Sequence, residues 1–331
     1  MRIAVDGFGG DYSPQEIVKG CIMAVKKNKD ISILLTGKKE LLEQLIAQEY
    51  YGDKITVVDC DEIITCEEQP VIAIRKKKNS SLVRMLTLLK EGQADGGVSA
   101  GSSGAVLAGG IFICERIEGV MRPALIPELP TVKGTTVALS DCGANVDCKP
   151  EYIRQFAEMG AIYMKAVRGI ERPRVGLLNN GAEEGKGNDV VKQTYEMLKN
   201  SSLSFVGNCE ARDLLTGNYD VVACDGFDGN IALKSAEGTA GAVFTLLKES
   251  IASSFRAKMG ALLMKPALKG LKKKLDYTEH GGAAIVGVKY PLVKCHGASK
   301  AKSICAGILQ CNNMAESKLC DKIAEALSSN E

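Results

Sequence analysis

Small and hydroxyl-bearing residues form the loop Val-Ser-Ala-Gly-Ser-Ser-Gly, which begins at Val98 between a predicted strand and a predicted helix. Small residues let backbone N–H groups approach a ligand closely, and a helix N-terminus attracts an anion. The alternative is that one serine only caps the helix. The predicted phosphate- or substrate-binding residues of this loop are Ser99, Gly101, Ser102, Ser103 and Gly104.

Four successive cations, Arg75–Lys78, precede two hydroxyl side chains, Ser80 and Ser81. Cations and hydroxyl groups together suit a phosphate or an acidic partner, because charge-assisted hydrogen bonds are stronger than neutral ones. The alternative is an ordinary solvated helix face. We therefore include Ser80 and Ser81 among the candidate phosphate ligands.

Two further polar loops follow predicted strands. In the loop Asp141–Asp147, Asn145 and Asp147 suit ligand placement, and they equally suit capping of the helix that begins at Pro150. In the next loop, Asn180 is polar and Lys186 can reach a phosphate as a flexible point charge. Each of these loops is a candidate part of a binding site.

The last two polar loops contain the remaining candidates. Asp225 ends a predicted strand, and Asn230 either donates its amide to a developing oxyanion or caps the following helix. His296 and Ser299 follow a later strand, and His296 is one of two histidines, which leaves a structural role open. In open α/β sheets ligands bind at the carboxyl ends of strands, so the six loops predict one converging site.

The sequence matches two nucleotide-binding motifs only in part. Asp6–Asp11 follows a strand, but the dinucleotide fingerprint requires a glycine where Tyr12 stands. The loop Gly181–Gly187 resembles a phosphate-binding P-loop, but its glycine spacing is one residue short and Gly187 replaces the magnesium-binding hydroxyl residue. Neither motif therefore predicts a nucleotide cofactor.

Composition excludes several functional classes. The 331 residues are 45% hydrophobic and 25% charged with a net charge of +2, so no global field favours nucleic acid. Trp is absent and aromatics are 5%, which leaves few stacking platforms for bases. The twelve cysteines lack CxxC spacing and indicate buried reduced thiols without a metal site. The N-terminus reads as a strand rather than a signal peptide, and no apolar run reaches the roughly 18 residues of a membrane span.

Continuous apolar strands alternate with helical patterns almost to the end of the chain, which predicts an α/β fold whose mostly parallel sheet has helices on both faces. We expect one domain over residues 1–331, with two lobes plausible. The predicted strands are Arg2–Asp6, Ile31–Thr36, Lys54–Val58, Gly96–Ala100, Thr135–Asp141, Arg174–Leu178, Leu203–Val206, Val221–Asp225 and Leu292–Cys295. The predicted helices are Pro14–Lys27, Lys39–Gln48, Ser81–Glu91, Ser103–Arg116, Pro150–Val167, Asp189–Lys199, Ile231–Ser253 and Ser299–Leu327.

Residues 250–275 form a basic amphipathic segment that contains seven cations and no acid. Such a segment lies on an anionic membrane or binds an acidic protein, or else packs as a dimer arm with a solvated basic face. We expect Pro266 to divide it into two helices. Its candidate membrane or partner contacts are Phe255, Met259, Leu262 and Leu263.

The order of these motifs, from Asp6–Asp11 to His296–Ser299, resembles the bacterial acyl-carrier-protein:phosphate acyltransferase family (PlsX-type), and the resemblance spans the whole chain. It implies a fold similar to that of phosphotransacetylases and isocitrate dehydrogenases. It also implies a homodimer that transfers a long-chain acyl group from acyl-carrier protein to inorganic phosphate, without a cofactor or metal. The acyl phosphate would feed phospholipid synthesis through a membrane glycerol-3-phosphate acyltransferase, at the cytoplasmic face of the membrane.

For this reaction, we expect Lys186 and the Ser99–Gly104 loop to hold phosphate and Asn230 to stabilise the oxyanion. We also expect Asp225 to orient a partner and His296 to protonate the leaving thiolate. The sequence departs from the family pattern at several positions, which leaves substrate preference open. These positions are Gly7, Phe8, Tyr12, Ser102, Ser103, Asn180, Ala182 and His280.

Three other functions remain open from the sequence. A short-chain phosphotransacetylase would use coenzyme A thioesters and a small closed pocket. A metal-dependent decarboxylating dehydrogenase would share the related fold. A catalytically silent adaptor would bind a membrane or a carrier protein without turnover.

Overall fold

The computed structural model describes residues 1–50, 52–275 and 281–328, with the side chains of 271–275 excepted. The described residues form strands β1 (Arg2–Asp6), β2 (Ser32–Gly37), β3 (Ile55–Asp59), β4 (Gly96–Ser99), β5 (Ala124–Ile126), β6 (Glu128–Pro130), β7 (Thr136–Ser140), β8 (Arg174–Asn179), β9 (Ser204–Glu210), β10 (Val221–Ala223), β11 (Ala283–Val286) and β12 (Leu292–Lys294). The predicted alternation of strands and helices is therefore present along the chain.

The helices are α1 (Gln15–Lys27), α2 (Lys39–Glu49), α3 (Pro70–Lys76), α4 (Ser81–Lys90), α5 (Ser103–Gly109), α6 (Pro150–Arg168), α7 (Asp189–Lys199), α8 (Gly226–Ala252), α9 (Phe255–Leu275), α10 (Ala301–Glu316) and α11 (Leu319–Ser328). A π-helical turn, Gly110–Cys114, directly continues α5. A short 3₁₀ helix, Ala211–Asp213, follows β9.

The strands belong to two sheets. The first has the order β3-β2-β1-β4-β12-β11-β5, and the second has the order β6-β7-β10-β8-β9. The central pairs are parallel, whereas β5, β11 and β6 pair antiparallel at the sheet margins. The predicted α/β class with mostly parallel strands is thus confirmed, but two sheets share the strands that we expected in one.

Helices cover the apolar strands of both sheets. Helix α1 lies against α10 so closely that a methyl group on Gly20 would overlap the Ile304 side chain. Helix α6 packs on β7 and β10, and its Phe156 and Tyr163 side chains are completely buried. Burial on both faces explains why these strands are continuously apolar rather than alternating.

Several predicted elements differ from the structure. The predicted helix Ser299–Leu327 is two helices, because the chain turns at Lys318, whose φ of 52° is left-handed. Pro266 lies inside the continuous helix α9, so the expected division at Pro266 is wrong, and the break falls between Ala252 and Phe255. The seven-residue helix α3 and the strands β5, β6 and β11 were not predicted; each of these strands is followed by another strand, outside the strand–helix alternation on which the prediction rested.

No helix among the described residues is long and apolar enough to cross a membrane. Helices α8 and α9 nevertheless expose many apolar side chains, among them Leu246 at 63% and Leu263 at 82%. His280, one of the departures from the family pattern, lies outside the described residues.

Candidate active site

Three loops meet at the carboxyl edge of the first sheet, where β1, β4 and β12 are neighbours. The Ser99 hydroxyl, at the end of β4, donates to Asp6 Oδ2 at 2.7 Å, at the end of β1. The Asp11 N–H donates to the Gly297 carbonyl at 2.8 Å, which joins the β1 loop to the loop after β12. The predicted convergence of strand-end loops therefore holds for this sheet.

The first two loops approach each other too closely for a side chain at Gly9. A Cβ atom there would lie 2.6 Å from the Gly101 nitrogen and 2.6 Å from Asp6 Oδ2. The buried Asp6 carboxyl has its pKa raised by desolvation, which hydrogen bonds from Ser81, Ser99 and the Phe8 N–H partly offset. Asp6 thus builds the loop framework instead of facing a ligand.

A second framework stands at the carboxyl edge of the other sheet, where β7, β10 and β8 are neighbours. The Asp141 carboxylate accepts backbone N–H groups of Leu125 at 2.7 Å and Asn145 at 2.7 Å. Helix α8 begins on this loop, because Gly226 N–H donates to the Asn145 carbonyl at 2.7 Å. These contacts fix the start of α8 next to the Asp141 loop.

A cavity of about 500 Å³ lies between the two frameworks. Apolar side chains line much of it, and three of them, Leu125, Pro127 and Leu129, come from β5, β6 and the residue between them. The polar lining residues are Ser103, Glu128, Asn230, Lys234, Glu237, Lys294, His296, Ser299 and Ser303. The arrangement suits a ligand with an apolar tail and a polar reactive end.

Five predicted site residues line this cavity. They are Gly101, Ser103, Asn230, His296 and Ser299. Ser103 is exposed at the start of α5, and Ser299 is buried with 7% exposure. His296 Nδ1 accepts the Ala298 N–H at 3.1 Å, which leaves Nε2 to hold the proton of the neutral ring.

Asn230 lies in the second turn of α8 and does not cap it. The cap is Asp225, whose carboxylate accepts the Asp228 N–H at 2.7 Å. Burial raises the pKa of the half-buried Asp225 carboxyl. Asp225 does not line the cavity, so it acts on the site by capping the helix that positions Asn230.

Five predicted ligands of the first sheet lie behind the cavity wall or beside it. Ser80 is fully buried and caps α4 by accepting the Val83 N–H at 3.3 Å. Ser81 and Ser99 are also buried, and both side chains hydrogen-bond to the Asp6 carboxyl. Gly104 faces Pro70, and Ser102 precedes α5 without a side-chain capping bond. Ligand roles for Ser80, Ser81, Ser99, Ser102 and Gly104 stay predictions.

The predicted ligands of the second sheet lie outside the cavity lining as well. The Asn145 amide donates to the Pro123 carbonyl at 2.8 Å and to Asp141 Oδ2 at 3.0 Å. Asp147 and Asn180 are exposed. Neither Asn145 nor Asp147 caps the Pro150 helix, whose capping residue Lys149 makes no side-chain capping bond.

Lys186 is exposed on the loop after β8, directly beside the β10 loop that leads to Asn230. Its carbonyl accepts the Asn179 amide at 3.1 Å, and its N–H donates to the Glu183 carbonyl at 3.1 Å. These bonds fix the loop backbone, and the Lys186 side chain lies against Gly181, where a Cβ atom would meet Lys186 Cγ at 2.8 Å. Its phosphate-binding role stays a prediction, because Lys186 does not line the cavity.

Lys294 is a buried cation of the cavity that sequence analysis missed. It is 7% exposed at the end of β12, in register with Ser99 on β4, and its ammonium donates to the Cys295 carbonyl. Burial lowers the pKa of Lys294. The available signal was the sequence Leu-Val-Lys-Cys, in which a charge interrupts an apolar strand.

A buried hydrogen-bond network supports the far side of the cavity. Glu128 accepts from the Tyr163 hydroxyl at 2.6 Å and from Arg168 Nε at 2.7 Å. Gln310 donates to the Tyr163 oxygen at 3.0 Å and accepts the Gly282 N–H at 3.0 Å. The network thereby connects β6 of one sheet to the chain entering β11 of the other.

Cysteines around the cavity are poor nucleophile candidates, with one exception. Burial raises the pKa of Cys142 and of Cys295 to about 12, so both are thiols near neutral pH. Cys66 alone is exposed among the cysteines, and it also lines the cavity. Within the described part of the chain, no group of three or more His, Cys, Asp or Glu residues is placed to hold a metal ion.

The family model described as "Fatty acid synthesis protein" matches residues 1–322. Phosphate acyltransferase of Bacillus cytotoxicus is 48% identical over 99% of this chain and 98% of its own length. Phosphate acyltransferase of Bacillus cereus strain G9842 shows the same identity and coverage. This chain belongs to the phosphate acyltransferase family. The PlsX-type resemblance and the expectation of an acyltransferase are thereby confirmed.

Solved structures that resemble this chain establish its fold. A phosphotransacetylase from Streptococcus pyogenes aligns with a TM-score of 0.62 and 16% identity, covering 95% of this chain and 94% of that one. A 4-hydroxythreonine-4-phosphate dehydrogenase from Klebsiella pneumoniae aligns with a TM-score of 0.52 and 13% identity, covering 95% of this chain and 98% of that one. The expected similarity to phosphotransacetylases and to a dehydrogenase fold is therefore confirmed.

Proposed function

We propose that this protein transfers a long-chain fatty acyl group from acyl-carrier protein to inorganic phosphate. The observation that supports this most directly is the cavity of about 500 Å³ between the two sheets. Its Leu125, Pro127 and Leu129 side suits an acyl chain, whereas its Asn230, Lys294 and His296 side suits a thioester and an anion.

In the proposed reaction, a phosphate oxygen attacks the thioester carbonyl carbon. The new C–O bond forms, the C–S bond breaks, and the sulfur leaves as a thiolate. Inorganic phosphate is already an anion with unprotonated oxygens at neutral pH, so a strong general base is unnecessary. The protein's tasks are then to hold phosphate, to aim it and to stabilise the oxyanion.

Four cavity residues and the nearby Lys186 have defined tasks in this proposal. Ser103 and the adjoining backbone bind phosphate together with Lys294, whose attraction for the phosphate anion is strengthened by the low dielectric of its surroundings. The Asn230 amide donates to the oxyanion, and His296 Nε2 gives the departing thiolate its proton. Lys186, on the loop after the neighbouring strand β8, adds a second cation for phosphate.

Helices α8 and α9 supply the proposed homodimer and membrane contacts. Val243 and Leu246 of α8 are 58% and 63% exposed. Exposed apolar side chains that lie together on a surface mark interaction sites. Phe255, Met259, Leu262 and Leu263 of α9 are exposed beside basic residues. We propose that α8 pairs with a second copy and that α9 rests on the anionic inner face of the cytoplasmic membrane, near the glycerol-3-phosphate acyltransferase that uses the product.

Purified protein with palmitoyl-acyl-carrier protein and inorganic phosphate tests the proposal. We expect phosphate-dependent release of the carrier thiol and formation of acyl phosphate, measured by mass spectrometry. The Lys186→Ala variant, checked for folding by circular dichroism, should lose this activity. Turnover of acetyl-coenzyme A alone would move the assignment to phosphotransacetylase, and no turnover of either donor would favour the adaptor.

A further inference from the structure

The outer face of α3, together with Phe112, exposes apolar and basic side chains next to each other. Val71, Ile72 and Phe112 are 39%, 47% and 52% exposed. Arg75 lies over the Phe112 ring, with its guanidinium carbon 5.5 Å from the ring centroid. We call this surface the rim patch, and its residues are Val71, Ile72, Arg75, Lys76, Lys78 and Phe112.

The rim patch adjoins the mouth of the cavity. Pro70, the first residue of α3, touches Gly104 so closely that a Cβ on Gly104 would lie 2.7 Å from Pro70 Cγ. Ser103 and Cys66, which flank this contact in sequence, both line the cavity. Phe112 follows Ser103 by nine residues, roughly 14 Å along the helical direction. A molecule on the rim patch would therefore stand beside the entrance.

The cations of the rim patch are available for a partner. Lys77 points elsewhere, because its ammonium pairs with Glu68 at 2.8 Å and donates to the Ile63 carbonyl at 2.7 Å. Arg75, Lys76 and Lys78 form no ion pair with the described residues. Arginine and aromatic side chains are also the residue types that dominate protein-binding surfaces.

We propose that the rim patch docks the carrier protein that delivers the acyl thioester; this inference rests on the proposed function. The partner must be acidic to match three unpaired cations, and it must stand at the cavity mouth to insert a tethered acyl group. An apolar centre of Ile72 and Phe112 within a basic border has the composition of such an interface. Helix α9 also exposes basic and apolar side chains, but it begins only after α8 has extended roughly 33 Å beyond Asn230. A carrier protein bound to α9 would therefore be far from Asn230 and the cavity.

Charge reversal at Arg75→Glu and Lys78→Glu tests the docking surface. Exchange of cation for anion should raise KM for palmitoyl-acyl-carrier protein about tenfold or more, while kcat stays within about twofold, because docking charges mainly govern encounter. KM for palmitoyl-pantetheine, a thioester without the protein, should not change. The matched control Lys192→Glu with Lys302→Glu reverses two exposed lysines on α7 and α10.

The two proposals fail in different ways. If the wild-type protein turns over both donors and the Arg75/Lys78 variant keeps its KM for the carrier thioester, the rim patch is not the docking surface. If the wild-type protein turns over neither donor, the proposed reaction is wrong. Equal loss of activity on both donors would also overturn the docking role, and loss of anionic-vesicle binding with unchanged carrier KM would assign the patch to a membrane.

Discussion

Lys294 is a charged side chain in a place where burial disfavours the charge. The pKa of Lys294 is lowered by desolvation, and its ammonium finds a carbonyl rather than a carboxylate. An apolar residue of similar length would pack there at lower cost, since an unpaired buried charge is destabilising. A lysine at this position is what a catalytic need for positive charge would require.

The Lys294→Met variant should therefore lose activity without losing stability. We expect phosphate-dependent turnover to fall about 100-fold, the scale of one lost electrostatic contact at a transition state. The folded-state pKa of Lys294 lies below the ordinary 10.5, so folding favours the neutral amine. As the pH falls below 10.5, protonation of Lys294 lowers the free energy of unfolding of the wild-type protein, whereas Lys294→Met has no such group. The stability of the variant relative to the wild type should therefore grow as the pH falls below 10.5. Urea unfolding at several pH values measures it. Lys302→Met, on the surface of α10, is the control and should change neither property.

Asp6 gives a second titration of opposite type. Burial raises the pKa of Asp6 above the ordinary 3.8, so folding favours the protonated carboxyl. The contribution of Asp6 to the free energy of unfolding is therefore fully present below about pH 3.8 and is lost as the pH rises through the folded-state pKa. Relative to Asp6→Asn, the wild-type free energy of unfolding should fall between pH 4 and pH 7. Asp11→Asn, at an exposed neighbour, serves as the control. A difference that is flat with pH would contradict the buried titration.

At the scale of elements, α8 depends on a close approach to the Asp141 loop. A methyl group on Gly229 would overlap the Asp141 carbonyl oxygen, whereas one on Gly238 of the same helix would meet nothing within 4 Å. Glycine at the first position lets the helix sit where Asn230 reaches the cavity. Glycine at the second position only costs helix stability.

Alanine at these two glycines should act in opposite directions. Gly229→Ala should lower the free energy of unfolding by about 1–3 kcal/mol through overpacking, and should reduce turnover by displacing Asn230. Gly238→Ala should raise stability by about 0.5–1 kcal/mol and leave turnover unchanged. Thermal unfolding and thiol release measure both. A fully active Gly229→Ala enzyme would contradict the proposed placement of Asn230.

The exposed apolar residues of α8 and α9 should separate two assembly functions. Leu246→Glu should dissociate the homodimer, because a charge cannot be buried unpaired in an apolar interface. Leu263→Glu should abolish sedimentation with anionic vesicles while the dimer persists. Light scattering and vesicle sedimentation distinguish them, with Lys248→Gln as a surface control. A monomeric wild-type protein would refute the first expectation, and vesicle binding by Leu263→Glu would refute the second.

At the scale of the whole molecule, the cavity depends on both sheets. Residues after β4 and β12 form one wall, and residues after β7 and on α8 form the other. The network from Glu128 through Tyr163 to Gln310 joins the two sides behind the cavity. A reagent that enters this space should therefore report on occupation by substrate.

Cys66 provides that report. It is exposed and lines the cavity, whereas nine other cysteines are buried, so a maleimide should label Cys66 first. We expect labelling to inhibit turnover and palmitoyl-pantetheine to slow labelling, as followed by mass spectrometry. Cys66→Ser should stay active and resist inhibition. Inhibition of Cys66→Ser at the wild-type rate would place the sensitive thiol elsewhere.

Local sequence already determined much of this protein. Apolar runs identified the central strands because strands buried on both faces must be apolar, and motif order identified the family. Glycine and polar residues after strands located the loops of Gly101, Asn230 and His296, since turns and helix starts have local chemical requirements. The marginal strands β5, β6 and β11 escaped detection, because each is followed by another strand and so lies outside the strand–helix alternation.

Tertiary structure decided which of those polar residues face the cavity. Ser80, Ser99 and Asn145 have the composition of ligands, but their hydrogen bonds go to the framework. Lys294 looked like one charge in a strand, and only the packing of β12 beside β4 made it a buried cation at the site. Side-chain type is local, whereas burial and hydrogen-bond partners come from residues distant in sequence, so only the folded chain assigns them.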